Sequence, residues 1–86
     1  MNDKTVNELI KASKRLIGLK QVKKAIIDSV GLRCVILADD TDKHIRDLIL
    51  QLAKETRTEV INYPRKDELG AACGIDVSCA VVGILK

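Results

Sequence analysis

Aromatic side chains are almost absent from this chain of 86 residues, which has no Trp, no Phe and a single Tyr at position 63. Proteins that hold single-stranded RNA on the surface of a sheet stack the bases on exposed aromatic rings. One tyrosine does not provide such a platform. Any contact with nucleic acid must therefore use backbone amides, cations, side-chain amides and aliphatic groups.

Residues that support catalysis, metal binding or cross-linking are scarce. His44 is the only histidine, and its polar surroundings in DDTDKHIRDL predict a solvated side chain rather than a general base. The cysteines Cys34, Cys73 and Cys79 are odd in number and form no CxxC pair, so they predict neither a disulfide framework nor a standard zinc site. Each lies in an apolar context typical of a buried thiol. We therefore expect no enzyme, no cofactor and no metal.

Long apolar runs are also missing. No run reaches the length of about 18 residues that spans a bilayer, and the first residues, MNDKTVNEL, lack the apolar core of a signal peptide. These absences predict a cytoplasmic protein with no membrane partner. With 47% hydrophobic residues, we expect residues 1–86 to form a single folded domain.

Positive charge is concentrated near the N-terminus. The net charge of the chain is +3, but residues 1–24 carry seven Lys and Arg against two acids, a local net charge of +5, and the remainder carries −2. This asymmetry fits a protein that turns one end toward a polyanion, and a solvated lysine face fits it equally well.

Helical and strand patterns alternate from the start of the chain. Thr5 and Glu8 have the spacing of a capping box at the start of a first helix, and residues 15–17 form a short apolar segment. The apolar stripe of a second helix, which includes Ser29, runs to Val30, and Gly31 is placed to end it in a left-handed cap. The first part of the chain therefore predicts two amphipathic helices separated by a short strand.

The same alternation continues to the end of the chain. Asp42 closes an acidic turn and is placed to cap the helix that follows, while Pro64 ends a short strand. The predicted elements are a strand buried on both faces over 33–38, a helix with its apolar stripe over 45–53, a strand over 59–63, a helix over 66–73 and a strand over 79–85. The pattern predicts an α/β fold, a three-layer α/β/α sandwich with a central mixed four-stranded sheet.

Two segments combine glycine with polar or aliphatic residues in a pattern that fits a ligand site. Turn geometry at the glycine, a solvated lysine face and core packing of the aliphatic residues fit the residues by themselves somewhat better. In GLKQVKKA, residues 18–25, a glycine precedes a helix whose N-terminus attracts anions, and lysines surround it. In LGAACGIDVSCA, residues 69–80, aliphatic side chains follow a short helix. The carboxylates of the turn 39–42 lack the glycine and distal glutamate of a calcium loop, so we assign them to turn and cap formation.

The two segments together resemble the elements G-x-[N/K]-[E/Q]-x-x-K-A and L-G-x-A-x-G-I-[E/D]-V-x-x-A of the kink-turn RNA-binding ribosomal protein superfamily. That superfamily includes the archaeal and eukaryotic large-subunit "L seven Ae" and "thirty e" groups and short bacterial homologues. The resemblance extends over essentially the whole chain. It implies a non-enzymatic protein that recognises and stabilises a kink-turn, a sharply bent internal loop with tandem sheared G·A pairs.

The resemblance also implies where the RNA is bound. The start of the second helix would enter the widened major groove, aliphatic side chains of the second segment would pack on looped-out nucleotides, and the turn after the buried strand would add a contact. We add Lys14, Arg15 and Lys23 as phosphate contacts. The other residues implied are Gly18, Leu19, Lys20, Gln21, Lys24, Asp39, Asp40, Ile75, Asp76 and Val77.

The expected partner is a kink-turn in ribosomal RNA or in a structured messenger leader, bound by a monomer that also associates with the ribosome. Two other classes stay open on the sequence. One is a protein–protein adaptor on a ribonucleoprotein particle, with the lysines merely solvated. The other is a small hydrolase or redox enzyme, which needs a nucleophile and a base that the sequence does not supply.

Overall fold

Helices and strands alternate through the computed structural model of the protein, which describes residues 3–28 and 30–86. The elements are α1 (Asp3–Ala12), β1 (Arg15–Ile17), α2 (Leu19–Ile27), β2 (Leu32–Ala38), α3 (Lys43–Thr56), β3 (Glu59–Tyr63), α4 (Lys66–Ala72) and β4 (Val81–Leu85). The predicted alternation is confirmed. Within these residues, no helix is both long and apolar enough to cross a membrane.

The four strands form one mixed sheet in the order β1-β4-β2-β3. Strand β2 runs parallel to β3 and antiparallel to β4, which is also antiparallel to β1. The ends of β1, β2 and β3 therefore meet the start of β4 at one end of the sheet. We call this end the Gly18 edge, and it comprises residues 18–21, 39–42, 64–66 and 75–80.

Two hydrophobic cores fill the space on either side of the sheet. Successive side chains of a strand point to opposite faces, so Cys34 and Ile36 of β2 enter one core and Val35 and Leu37 enter the other. The first core contains Val6 and Ile10 of α1 with Leu69 and Cys73 of the α4 segment, and the second contains Val22 and Ile26 of α2 with Ile49 of α3. The three-layer sandwich and the doubly buried strand are confirmed.

The predicted capping box at Thr5 and Glu8 is wrong. Helix α1 already includes Asp3, so Thr5 lies within the helix. A capping residue needs a non-helical backbone, which Thr5 does not have. The cap predicted for α3 is confirmed, because the Asp42 carboxylate accepts a hydrogen bond of 2.8 Å from the backbone N–H of His44.

Helix α2 is shorter than its apolar stripe predicted. It ends at Ile27, and the N–H of Val30 donates to the Ala25 carbonyl at 3.0 Å. That bond spans five residues and closes an α-helix instead of extending it. Val30 is consequently 55% exposed, and Ser29 lies outside the described residues. Gly31 does have a positive φ of 88°, but it lies in the turn before β2.

Strand β4 begins at Val81, two residues later than predicted. The N–H of Cys79 donates to the carbonyl of Lys66 at 2.9 Å, so this residue is bonded to the start of α4 instead of a strand. The carbonyl of Ala80 accepts a hydrogen bond of 2.9 Å from the N–H of Ala38. These bonds fix the segment before β4 to the Gly18 edge.

Candidate nucleic-acid interface

Gly18 joins β1 to α2 in a backbone conformation that only glycine adopts readily, with φ 101° and ψ 155°. Its N–H donates to the Val81 carbonyl at 3.0 Å, and its carbonyl accepts the N–H of Val22 at 3.1 Å to start the helix. A Cβ built at Gly18 would meet no protein atom within 4 Å. The glycine is therefore required by the backbone angles, and the space in front of it is open to a ligand.

The start of α2 is a positively charged surface. As described, the helix has no side-chain cap and no acidic residue in its first turn, so its terminal N–H groups and its dipole favour an anion. Lys20, Gln21, Lys23 and Lys24 are exposed. Leu19 is half-buried and packs against the core between the sheet and α2 and α3. The polar residues predicted from the sequence thus face outward together.

The loop 74–78 connects α4 to β4 and carries the aliphatic residues of the predicted site. Val77 is 68% exposed, the highest value among the large hydrophobic residues that protrude from the described structure, and Asp76 is exposed beside it. Ile75 is half-buried and packs against the core beneath α1 and α4. The two aliphatic side chains therefore differ, because Val77 is presented to solvent and Ile75 is partly core.

The loop and the α2 junction are tied to the same carbonyl group. The Cys79 thiol donates to the Val81 carbonyl at 3.1 Å, and the N–H of Gly18 donates to the same oxygen. The tertiary structure thus places two segments that lie more than fifty residues apart in the chain side by side at the Gly18 edge.

Gly70, in the middle of α4, sets how closely the loop approaches that helix. A Cβ at Gly70 would overlap the Val77 carbonyl oxygen and would lie 3.1 Å from the Val77 carbonyl carbon and 3.3 Å from Ser78 Cα. The Gly70 carbonyl also accepts the N–H of Ile75 at 3.1 Å. The sequence contained a signal for this role, since glycine within a helix costs about 1 kcal/mol relative to alanine and indicates a packing reason.

Asp39 and Asp40 form the turn after β2, as predicted, and are exposed. The Asp40 carboxylate accepts the backbone N–H of Lys66 at 2.8 Å. The main chain of Asp39 donates to the Tyr63 carbonyl at 2.7 Å, and its own carbonyl accepts from the Arg46 guanidinium at 3.0 Å. The cap that Asp40 provides for α4 was not predicted.

Arg15 points between two helices. Its Nη1 donates to the Ile10 carbonyl at 3.0 Å and its Nη2 to the Cys73 carbonyl at 2.9 Å. These carbonyls lie near the C-terminal ends of α1 and α4, where a positive charge is favourable. The half-buried side chain is thus engaged by the protein, whereas Lys14 next to it is exposed.

At each of the three thiols, burial outweighs the neighbouring groups that favour the thiolate. Cys34, Cys73 and Cys79 are buried and free. Burial raises the pKa of each thiol above its ordinary value, and the neighbouring Cys79 adds to the rise in the pKa of Cys73. Thiolates, which act as nucleophiles and metal ligands, are therefore disfavoured at neutral pH. The described part of the chain has no group of three His, Cys, Asp or Glu side chains arranged to hold a metal ion.

The fold and the site define a small α/β/α protein with a surface that combines an uncapped helix terminus, lysines and an exposed aliphatic loop. The model of the ribosomal protein L7Ae/L30e/S12e/Gadd45 family matches residues 3–86. The chain belongs to this family, which confirms the resemblance seen in the sequence.

Individual relatives cover nearly the whole chain. An RNA-binding protein of Geobacillus sp. (strain WCH70) is 34% identical over 79 residues, which are 92% of this chain and 95% of that protein. The RNA-binding protein YbxF of Geobacillus stearothermophilus is 33% identical over 79 residues, with the same coverage of both chains. A solved structure of a protein of unknown function from Bacillus halodurans C superposes with a TM-score of 0.80 at 25% identity, covering 93% of this chain and 79% of that one.

Proposed function

We propose that this chain is a non-enzymatic RNA-binding protein that recognises and stabilises kink-turn RNA. Membership of the L7Ae/L30e/S12e/Gadd45 family and the relatives described as RNA-binding proteins support RNA as the partner. The observation that carries the proposal is that the uncapped start of α2 and the segment that follows the exposed Val77 bond to the same Val81 carbonyl, through the Gly18 N–H and the Cys79 thiol. A bent RNA offers an open groove to the start of α2 and extruded bases to the exposed aliphatic loop.

In this proposal the start of α2 enters the widened major groove at the sheared G·A pairs. Gln21 both donates and accepts through its amide, whereas Lys20 and Lys24 donate to guanine O6 and N7 or to phosphate. The missing Cβ at Gly18 leaves room for the RNA backbone. The hydrogen bond from the Gly18 N–H to the Val81 carbonyl fixes the start of α2 to β4, so the position of these side chains is set before RNA binds.

The loop 74–78 supplies the second half of the interface. Val77 would pack on the face of an extruded base. This contact removes two apolar surfaces from water, which is favourable. Ile75 anchors the loop to the protein, because its side chain packs against the core. The Asp76 carboxylate is placed to accept from a base amino group or a ribose 2′-hydroxyl. In this proposal, aliphatic and polar side chains of the loop contact the extruded bases in place of aromatic rings.

Binding would act on the conformation of the RNA. A free kink-turn exchanges between extended and bent forms, and a ligand shifts that equilibrium only by its difference in affinity for the two forms. The two halves of the proposed interface bind together only when the groove and the extruded bases are close, as in the bent form. The protein therefore stabilises the kink without any chemical step.

We further propose ribosomal RNA or a structured messenger leader as the target, bound by a monomer in the cytoplasm, with the ribosome as the larger assembly. Crosslinking in cells, followed by sequencing of the bound RNA, would identify the target. Recovery of crosslinks only from unstructured RNA would contradict this part of the proposal.

The decisive test is a binding titration with two RNAs of equal length. One contains the tandem G·A pairs, and in the other Watson–Crick pairs replace them. We expect a preference of at least about tenfold, equivalent to about 1.4 kcal/mol, and an increase in energy transfer between dyes on the two arms of the first RNA. Equal affinities for the two RNAs would contradict kink-turn recognition. If the protein bound neither RNA, the proposal of RNA binding would be contradicted, and a protein–protein adaptor would be the better explanation.

A further inference from the structure

We infer that Arg15 is a positioning residue, which holds the loop 74–78 in the orientation that presents Val77 to RNA. This role rests on the proposed function of the loop but requires no contact between Arg15 and RNA. It replaces the phosphate contact predicted for this arginine from the sequence.

The bonds of the guanidinium join three elements. Arg15 lies on β1, paired with Ile84 of β4, and its two terminal nitrogens reach Ile10 in α1 and Cys73 at the end of α4. The Cys73 carbonyl directly precedes the loop. The strand that leads to Gly18 therefore also anchors the start of the loop, so one residue connects the two halves of the interface.

The remaining contacts of the loop make its position depend on α4. Its Val77 carbonyl lies against Gly70, its Ile75 N–H is bonded to the Gly70 carbonyl, and Cys79 after it is bonded to Lys66. Because these contacts join the loop to α4, a helix of seven residues, the loop should move together with that helix. Arg15 fixes the C-terminal end of α4 against β1 and thereby restricts such movement.

A direct phosphate contact by Arg15 conflicts with these bonds. Its Nε is buried and has no hydrogen-bond partner among the described residues, so the guanidinium is turned into the protein. Turning it outward would leave the carbonyls of Ile10 and Cys73 without their present donor, at the cost of unsatisfied polar groups. The exposed lysines are better placed for phosphate.

The role has a thermodynamic consequence for binding. A loop that is ordered before association does not lose its conformational freedom during association, and this raises affinity. Loosening the anchor should therefore weaken the contact made by the loop while leaving the contact made by α2 unchanged.

The test uses Arg15→Met and Arg15→Lys in the full chain. Methionine keeps most of the length without any donor, and lysine keeps the charge but loses the planar fork that reaches two carbonyls. We expect both variants to bind kink-turn RNA about tenfold more weakly than the wild type, as for a loop that must be ordered on binding. Both should bind a plain duplex of the same length as the wild type does, with the same salt dependence.

Two outcomes would overturn the inference. In the first, Arg15→Lys binds kink-turn RNA as tightly as the wild type, while Arg15→Met loses the same affinity for the kink-turn and for the plain duplex. This pattern is typical of a phosphate contact, which needs only the positive charge. The other is an additive effect of Arg15→Lys and Val77→Ala, because a residue that acts through Val77 should have no further effect once Val77 is truncated. Arg15→Lys carries the test alone if Arg15→Met does not fold.

The same experiment separates the inference from the proposed function. Val77→Ala in the wild-type background tests the loop contact directly. If Val77→Ala has no effect on kink-turn affinity, the proposed function of the loop fails. If Val77→Ala weakens binding and Arg15→Lys does not, only the positioning role fails.

Discussion

The Asp40 carboxylate accepts a hydrogen bond of 2.8 Å from the backbone N–H of Lys66, the first residue of α4. The residue before that helix, Arg65, provides no side-chain cap of its own. An acidic residue in the turn after β2 thus caps a helix that begins after β3. Because the Lys66 carbonyl in turn accepts from Cys79, the cap is connected to the end of the loop 74–78.

Replacing Asp40 with alanine should lower the free energy of unfolding by about 1 kcal/mol, the usual loss for a removed cap. Asp40→Asn should retain most of it, because the amide oxygen also accepts. Urea denaturation measures both, with Asp47→Ala, an exposed change in α3, as the control. Equal midpoints for Asp40→Ala and Asp47→Ala would show that the hydrogen bond does not contribute.

Gln21→Ala should weaken binding to kink-turn RNA by about 1–3 kcal/mol if the amide reads a base edge. Gln51 offers a matched control, because it is an exposed glutamine in α3 that donates to Glu55 four residues away. Titrations of Gln21→Ala and Gln51→Ala against both RNAs would compare them. Equal losses by Gln21→Ala on the kink-turn and the plain duplex would contradict specific reading by the amide.

Lys24→Ala should also weaken binding to the kink-turn far more than binding to a plain duplex. Lys14→Ala should weaken binding to the kink-turn and to the plain duplex alike. It should also reduce the slope of log affinity against log salt concentration by about 1, the value for one lost phosphate contact. Lys54→Ala, in the last turn of α3, is the matched control. Titrations at several salt concentrations separate the two kinds of lysine, and identical behaviour of Lys14→Ala and Lys24→Ala would refute the distinction.

Gly18→Ala should destabilise the fold by about 1–3 kcal/mol, because φ 101° is strained for alanine. It should also weaken RNA binding, since the new methyl group occupies the open space before α2. Gly31→Ala provides the matched control: its φ is 88°, and its Cβ would lie 4.0 Å from the Lys86 side chain, away from the Gly18 edge. Similar loss of RNA affinity in both variants would assign the effect to strain alone.

Alkaline pH should destabilise the protein through its buried thiols. Burial raises the pKa of Cys34, Cys73 and Cys79 in the folded state, so the folded state holds these protons more tightly than the unfolded state. Their contribution to stability is full below about pH 8.5, the ordinary thiol value, and falls as pH rises beyond it. Urea denaturation at neutral and alkaline pH, compared with a triple cysteine-to-alanine variant, measures this difference.

The same burial predicts slow alkylation in the native state. Iodoacetamide at neutral pH should modify the three thiols only after unfolding, as followed by mass spectrometry. Rapid modification of Cys73 or Cys79 in the native protein would show that the segment around the loop opens far more readily than its hydrogen bonds indicate.

Local sequence patterns predicted the strands β1 and β3 with the bounds seen in the structure, because both are limited by neighbouring glycine, polar turns or proline. The end of α2 was predicted wrongly, because the apolar stripe continues to Val30. In the structure the helix ends at Ile27, and the N–H of Val30 donates back to the Ala25 carbonyl. The start of β4 was missed for a related reason. Cys79 and Ala80 are apolar like a strand, but their backbone groups bond to α4 and β2.

The sequence by itself determined the order of helices and strands, the two-sided burial of β2 and the residues of the two motifs, because periodicity and glycine placement act over a few neighbouring residues. Only the tertiary structure decided that the motifs meet at the Gly18 edge, that Asp40 caps α4 and that Arg15 holds Cys73. These relationships join residues that are distant in the chain. They are set by sheet topology and by the need of each buried polar group for a partner, neither of which a local pattern specifies.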